Sequence, residues 1–113
     1  MKNFRTYHVA LEAMHQVAGC LARIRRQDRD LEKQLRRATQ SVVLNIAEAN
    51  YRRGQDRAHH FRIAAGSAAE VQAALDIAAA WGYLPAGQAA APRATLDQVL
   101  GMLHRLTEGR GGR

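Results

Sequence analysis

Apolar residues recur at intervals of three and four along nearly the whole chain, and that spacing predicts helices rather than strands. From about Arg5 to Arg26 the recurring positions are Val9, Met14, Val17, Leu21 and Ile24, with charged and polar residues between them. Gln27-Asp28 breaks the pattern, and Asp28 is placed to cap a second helix. That helix, about Arg29 to Arg53, carries Leu31, Leu35, Ala38, Val42, Ile46 and Ala49 on one face. At about 1.5 Å per residue it spans roughly 37 Å. Gly54 marks its end, and Asp56 is placed to cap a third helix. This third helix, about Gln55 to Trp81, turns Phe61, Ala64, Ala68, Val71, Leu75 and Ala78 to one side. Gly82-Tyr83-Leu84-Pro85 stops it, and Ala86 to Pro92 reads as a connection. A fourth helix begins near Ala94 or Thr95, with Leu96, Val99, Leu100, Leu103 and Leu106 inward. Short turns between such helices predict an all-α, antiparallel up-down-up-down four-helix bundle over residues 1–108. Gly109 to Arg113 reads as a disordered basic tail.

Composition changes this picture in several respects. The chain has 113 residues, 47% of them apolar, which is enough for one compact domain. The only prolines are Pro85 and Pro92, so nothing interrupts a helix before residue 85. Seventeen Lys and Arg stand against ten Asp and Glu, nearly all the positive charge being Arg, and the resulting +7 favours polyanionic partners. Cys20 is the single cysteine and sits among Val17, Leu21 and Ile24, which reads as core packing in a reducing compartment. With neither an apolar signal core after Met1 nor a run of membrane-spanning length, a cytoplasmic protein is expected, with no membrane partner.

The outward faces carry the candidate chemistry. On helix two the outer face reads Arg29, Lys33, Arg36, Arg37 and Gln40, then Leu44, Ala47 and Tyr51. Its basic half suits phosphates, because Arg presents several donors and keeps its charge, and its apolar half suits another protein surface. A solvated helix face with internal ion pairs to Asp30 and Glu32 is the plainer alternative. A second basic group, Arg52, Arg53, Arg57 and Arg62 with His59 and His60, straddles the Gly54 turn, flanked by Tyr51 and Phe61. Phe61 falls on the core face by periodicity. Helix three also offers Ala65, Ala69 and Ala73 outside its core stripe, small enough to admit another helix, though exposed Ala is also simply a good helix former. Along the edge of helix two run Ser41, Asn45, Glu48 and Arg52. If the helices fold back at Gly54, Ser41 comes level with Ser67 and Arg37 with Glu70, so this polar seam can lock the hairpin's register.

Catalytic and metal chemistry find little support in the pattern. His59 and His60 are adjacent and diverge on a helix, His8 and His15 are seven apart, and no Glu-x-x-His pair occurs. Glu48 and Glu70 lack a nearby matched base, and the glycines form no phosphate-binding loop. No enzyme, no cofactor and no metal are therefore expected.

The stretch Arg37-Ala38-Thr39-Gln40-Ser41-Val42-Val43-Leu44-Asn45-Ile46-Ala47-Glu48-Ala49 is followed by Phe61-Arg62, by Ala65-Gly66-Ser67-Ala68-Ala69-Glu70, and by Trp81-Gly82-Tyr83-Leu84. Together these resemble the small four-helix-bundle proteins first noticed as products of intervening sequences in bacterial 23S ribosomal RNA genes. The resemblance covers about residues 4 to 84, and the fourth helix shares only the apolar pattern. Members commonly carry Pro where Val43 stands and Gly where Ala49 stands, so a kink in helix two is not expected here. The resemblance implies a ring, a homopentamer, with a basic surface. It extends to the accessory proteins of diversity-generating retroelements, which partner a reverse transcriptase and nucleic acid. In such a ring, Leu44, Ala47, Tyr51, Ala65, Ala69 and Ala73 are the expected subunit contacts.

The leading expectation is a non-enzymatic oligomer that binds RNA or DNA without sequence readout through Arg29, Lys33, Arg36, Arg37, Arg52, Arg53, Arg57 and Arg62. The alternative is a protein-interaction scaffold docking a nucleic-acid enzyme such as a reverse transcriptase. An enzyme built on Ser41, Asn45, Glu48 and Glu70 is the least supported.

Overall fold

The computed structural model describes residues 4–108. Four helices run in order, α1 (Phe4–Gln27), α2 (Arg29–Asn50), α3 (Gly54–Ala80) and α4 (Ala90–Glu108). They form an elongated antiparallel bundle measuring 46 × 21 × 20 Å. The hairpin of α2 and α3 is its most extensively packed pair, α1 rests on α2 and α4, and α4 closes the square against α3. The expected basic tail lies outside the described residues.

A single residue separates α1 from α2. Asp28 is extended at φ −157° and accepts a hydrogen bond from the Leu31 amide at 2.9 Å, satisfying one of the donors a helix start leaves unpaired. Its own amide still bonds the Ile24 carbonyl at 2.8 Å, so the chain reverses with almost no loop. The expected core positions of α2 are all buried. That helix runs unbroken to Asn50, three residues short of the expected end, and Gly54 opens α3 in the left-handed region at φ 57°. Asp56 does not cap α3. The cap position is Arg53, without a side-chain bond, and the Asp56 carboxylate is taken by Arg52.

The C-terminus of α3 closes as a Schellman turn around Gly82 at φ 77°, with the Tyr83 amide on the Ala78 carbonyl and the Gly82 amide on that of Ala79. Helix α4 begins about four residues before the expected start. Pro92 is no obstacle there, because a first-turn residue needs no amide partner.

In α1 the buried stripe is Thr6, Ala10, Ala13, Val17, Cys20 and Ile24, rotated from the expected one. Val9, Met14 and Leu21 flank the core half-buried. Bulk was the misleading signal: the small alanines face inward, where α1 wedges between two neighbours, and larger side chains cover the margins. Burial pushes the Cys20 thiol above its ordinary pKa, which suits a packing role.

Candidate functional site

The polar seam between α2 and α3 is a connected chain of hydrogen bonds. Ser41 Oγ and Ser67 Oγ lie 2.7 Å apart. Asn45 Nδ2 donates to the Ser41 carbonyl at 2.9 Å and to Ser41 Oγ at 3.1 Å. With its nitrogen committed there, the Asn45 carbonyl oxygen is the acceptor for His60, whose Nδ1 donates at 3.0 Å. His60 bonds Asn45 and neither serine, and the chain of hydrogen bonds ties α2 to α3 as a register lock. Glu48 belongs to a different pairing, with Arg52, and Glu70 stays outside the seam: it is exposed and makes no ion pair with Arg37 among the described residues. The histidine was missed in the sequence because His59-His60 read as part of a basic turn.

The arginines divide by what surrounds them. At the Gly54 turn, Arg52 bonds Glu48 Oε2 through Nε at 2.8 Å and Asp56 Oδ2 at 2.9 Å, and these hydrogen bonds raise the pKa of its guanidinium. Arg57 lies over the Phe61 ring, 4.9 Å from its centroid, and donates to the Ala49 carbonyl at 3.3 Å. Phe61 itself is buried, so it offers no stacking surface. Two of the four expected cations at this end thus serve the turn, and Arg53 and Arg62 remain exposed.

The α1–α2 end differs. Arg36 sits 3.5 Å from Glu32, an i,i+4 pair with a buried carboxylate. Arg29, Lys33 and Arg37 are exposed and have no carboxylate partner among the described residues. The one-residue reversal at Asp28 brings Arg25 and Arg26 of α1 beside Arg29. These three, with Ala18, Leu21, Ala22 and Glu32, line a groove of about 630 Å³. Between Arg23 and Arg37 there are seven cations and three carboxylates, of which Asp28 is the cap and Glu32 is paired. Arg25 and Arg26 were overlooked because they end a different helix. Their closeness in sequence to Arg29 was the available signal.

The apolar candidates lie on more than one stripe. Leu44 is 66% exposed and Tyr51 77%. Ala47 is half-buried. Ile63, also exposed, joins them because it sits between His60 and Ser67, which face Asn45 and Ser41. Ala69 and Ala73 are exposed farther round α3. Ala65 packs half-buried against the core, on the α3 face where Gln72 reaches Asp97 of α4 at 2.7 Å. That position sets Ala65 apart from Leu44, Tyr51 and Ile63.

Among the described residues no group of three or more His, Cys, Asp or Glu is placed to hold a metal ion, and no helix is long and apolar enough to cross a membrane. The fold is similar to the crystal structure of a protein of unknown function from the S23 ribosomal protein family of Bacteroides thetaiotaomicron. The TM-score is 0.81 at 20% identity, covering 91% of this chain and 98% of that one. No curated protein matches the sequence. Residues 2–105 match the description of the 23S rRNA-intervening sequence proteins. The match takes in all four helices nearly to the end of α4, and the chain belongs to the 23S rRNA-intervening sequence protein family.

Proposed function

We propose that this chain is a non-enzymatic, self-associating bundle that binds the phosphate backbone of RNA or DNA, chiefly through the α1–α2 end. The observation that carries the reading is the set of cations without a carboxylate partner among the described residues: Arg25, Arg26 and Arg29, gathered by a one-residue turn around a groove, with Lys33 and Arg37 farther along α2. Arginines held near one another in excess of the carboxylates beside them repel, and a polyanion relieves that repulsion while releasing its own counterions. Arg53 and Arg62 add exposed cations at the opposite end of α2, where Arg52 and Arg57 are engaged within the fold.

Self-association is supported by Leu44, Ala47, Tyr51 and Ile63 beside the seam, apolar side chains that a second copy would remove from water. A symmetric ring, such as a pentamer, would repeat the basic end in each copy and sum its field.

Two measurements test this reading. Anisotropy of a labelled oligonucleotide titrated across salt concentrations is expected to show log affinity falling linearly with log salt; no binding at low salt would overturn the nucleic-acid role. Light scattering is expected to give a mass several times that of the 12.5 kDa chain, reduced by Leu44→Glu. A monomeric wild type removes the assembly.

A further inference from the structure

Trp81 is the single tryptophan of the chain, and it stands 70% exposed at the C-terminus of α3. Its position is fixed from both sides. Its amide bonds the Ile77 carbonyl at 2.9 Å, and the Gly82 turn comes immediately after it. Two residues on, the Tyr83 hydroxyl donates to Asp28, the cap of α2, across 3.4 Å. Trp81 is therefore level with the start of α2 and next in space to the basic end. Positions 63, 67, 70, 74, 77 and 81 step by four and three along α3, and Ser67 in this series touches Ser41 of α2. Trp81 and the partly exposed Ile77 thus occupy the edge of α3 that adjoins α2, on which Lys33 and Arg37 have no carboxylate partner among the described residues.

We infer that Trp81 is a stacking platform for an unpaired base, and that the nucleic acid taken by the α1–α2 end is single-stranded. The inference rests on the backbone-binding reading above. Each half of the surface supplies what the other lacks. Cations hold a backbone of any strandedness, but an exposed indole gains a partner only from a base whose face is free, and in a duplex both faces are stacked. Charge complementarity selects the occupant: an apolar partner would leave Arg29, Lys33 and Arg37 next to its surface without counter-charge. Asp30 adds one negative charge at this edge, which favours a base over a phosphate directly above it.

Because the indole is unique, its fluorescence reads the contact directly. The experiment titrates the full-length chain with a 12-nucleotide oligo(dT) and, separately, with a duplex of equal length. Indole emission and the anisotropy of a distal label are followed together. The expected result is quenching by oligo(dT) and not by duplex, with Trp81→Ala weakening oligo(dT) on the order of tenfold and duplex hardly at all. Binding by anisotropy with neither quenching nor loss in Trp81→Ala overturns the stacking inference and leaves the backbone reading intact. Equal quenching by duplex overturns the strand preference. Absence of all binding removes both readings. A blue shift of the emission on concentrating the protein alone assigns the patch to contacts between copies and overturns the inference.

Discussion

The two ends of the α2 helix are similarly basic in sequence and opposite in electrostatic condition. Beyond its C-terminus, at the Gly54 turn, two of four arginines are absorbed: Arg52 joins Glu48 to Asp56 across the reversal, and Arg57 covers Phe61 while holding a carbonyl left over from α2. At its N-terminus two of the three carboxylates are occupied, since Asp28 caps the helix and Glu32 faces Arg36, while Arg29, Lys33 and Arg37 have no carboxylate partner among the described residues. A cluster of arginines is therefore no site by itself. What matters is whether the local backbone supplies acceptors, and at a turn with exposed carbonyls and carboxylates it does.

The sharpest way to break this comparison is to remove its two large aromatic rings. Phe61 is 1% exposed at the closed end and Trp81 70% exposed at the open one. Phe61→Ala is expected to destabilise the chain by about 3–5 kcal/mol through lost burial and a cavity, measured by urea denaturation. Trp81→Ala is expected to shift the same midpoint little, because an exposed ring gives up little burial on truncation. A comparable loss for both would mean that the open end carries core packing.

Next in size is the electrostatic contrast. Replacing Arg25, Arg26 and Arg29 together by Gln is expected to reduce the salt slope of oligonucleotide binding by about two to three, at roughly 0.7–0.9 per lost phosphate contact. Arg52→Gln is expected to leave the slope unchanged. Equal effects would erase the distinction between the ends.

A smaller effect is expected from Asp28→Ala, which removes the bond to the Leu31 amide at the tight reversal. The loss should be about 1 kcal/mol, read from thermal unfolding. Accompanying weakening of oligonucleotide binding would show that this reversal also positions Arg25, Arg26 and Arg29.

The smallest concerns pH. Tyr83 has its pKa raised, first by desolvation and then by the nearby Asp28 carboxylate. A folded-state pKa above the unfolded value means that this contribution is intact below the unfolded pKa and is lost as pH rises through the folded one. Unfolding midpoints are therefore expected to fall above the ordinary tyrosine range, and to fall less steeply in Tyr83→Phe. An identical pH profile in the variant would show that the link between α3 and the Asp28 cap is energetically silent.

Much of the architecture was legible in the chain. Periodicity located all four helices and most of the core faces of α2 and α3, missing the buried Val43 and Ala74, because a helix's buried stripe is set by spacing within that helix. Ser41 opposite Ser67 also came from folding one helix back on another about Gly54. The stripe of α1 was less legible, since Ala10 and Ala13 are buried by the proximity of two other helices rather than by their own hydrophobicity. The start of α4 was misplaced because Pro92 reads as a breaker until its first-turn position is known.

What the sequence by itself determined is the repeating pattern: helices, their faces, a bundle and an excess of arginine. Which arginines are free was decided by tertiary structure. The pairing of Arg57 with the Ala49 carbonyl and the gathering of Arg25, Arg26 and Arg29 around one groove both arise where the backbone changes direction. The angle of such a turn is set by a few dihedrals and by the packing of whole helices, neither of which is written in the spacing of residues along one of them.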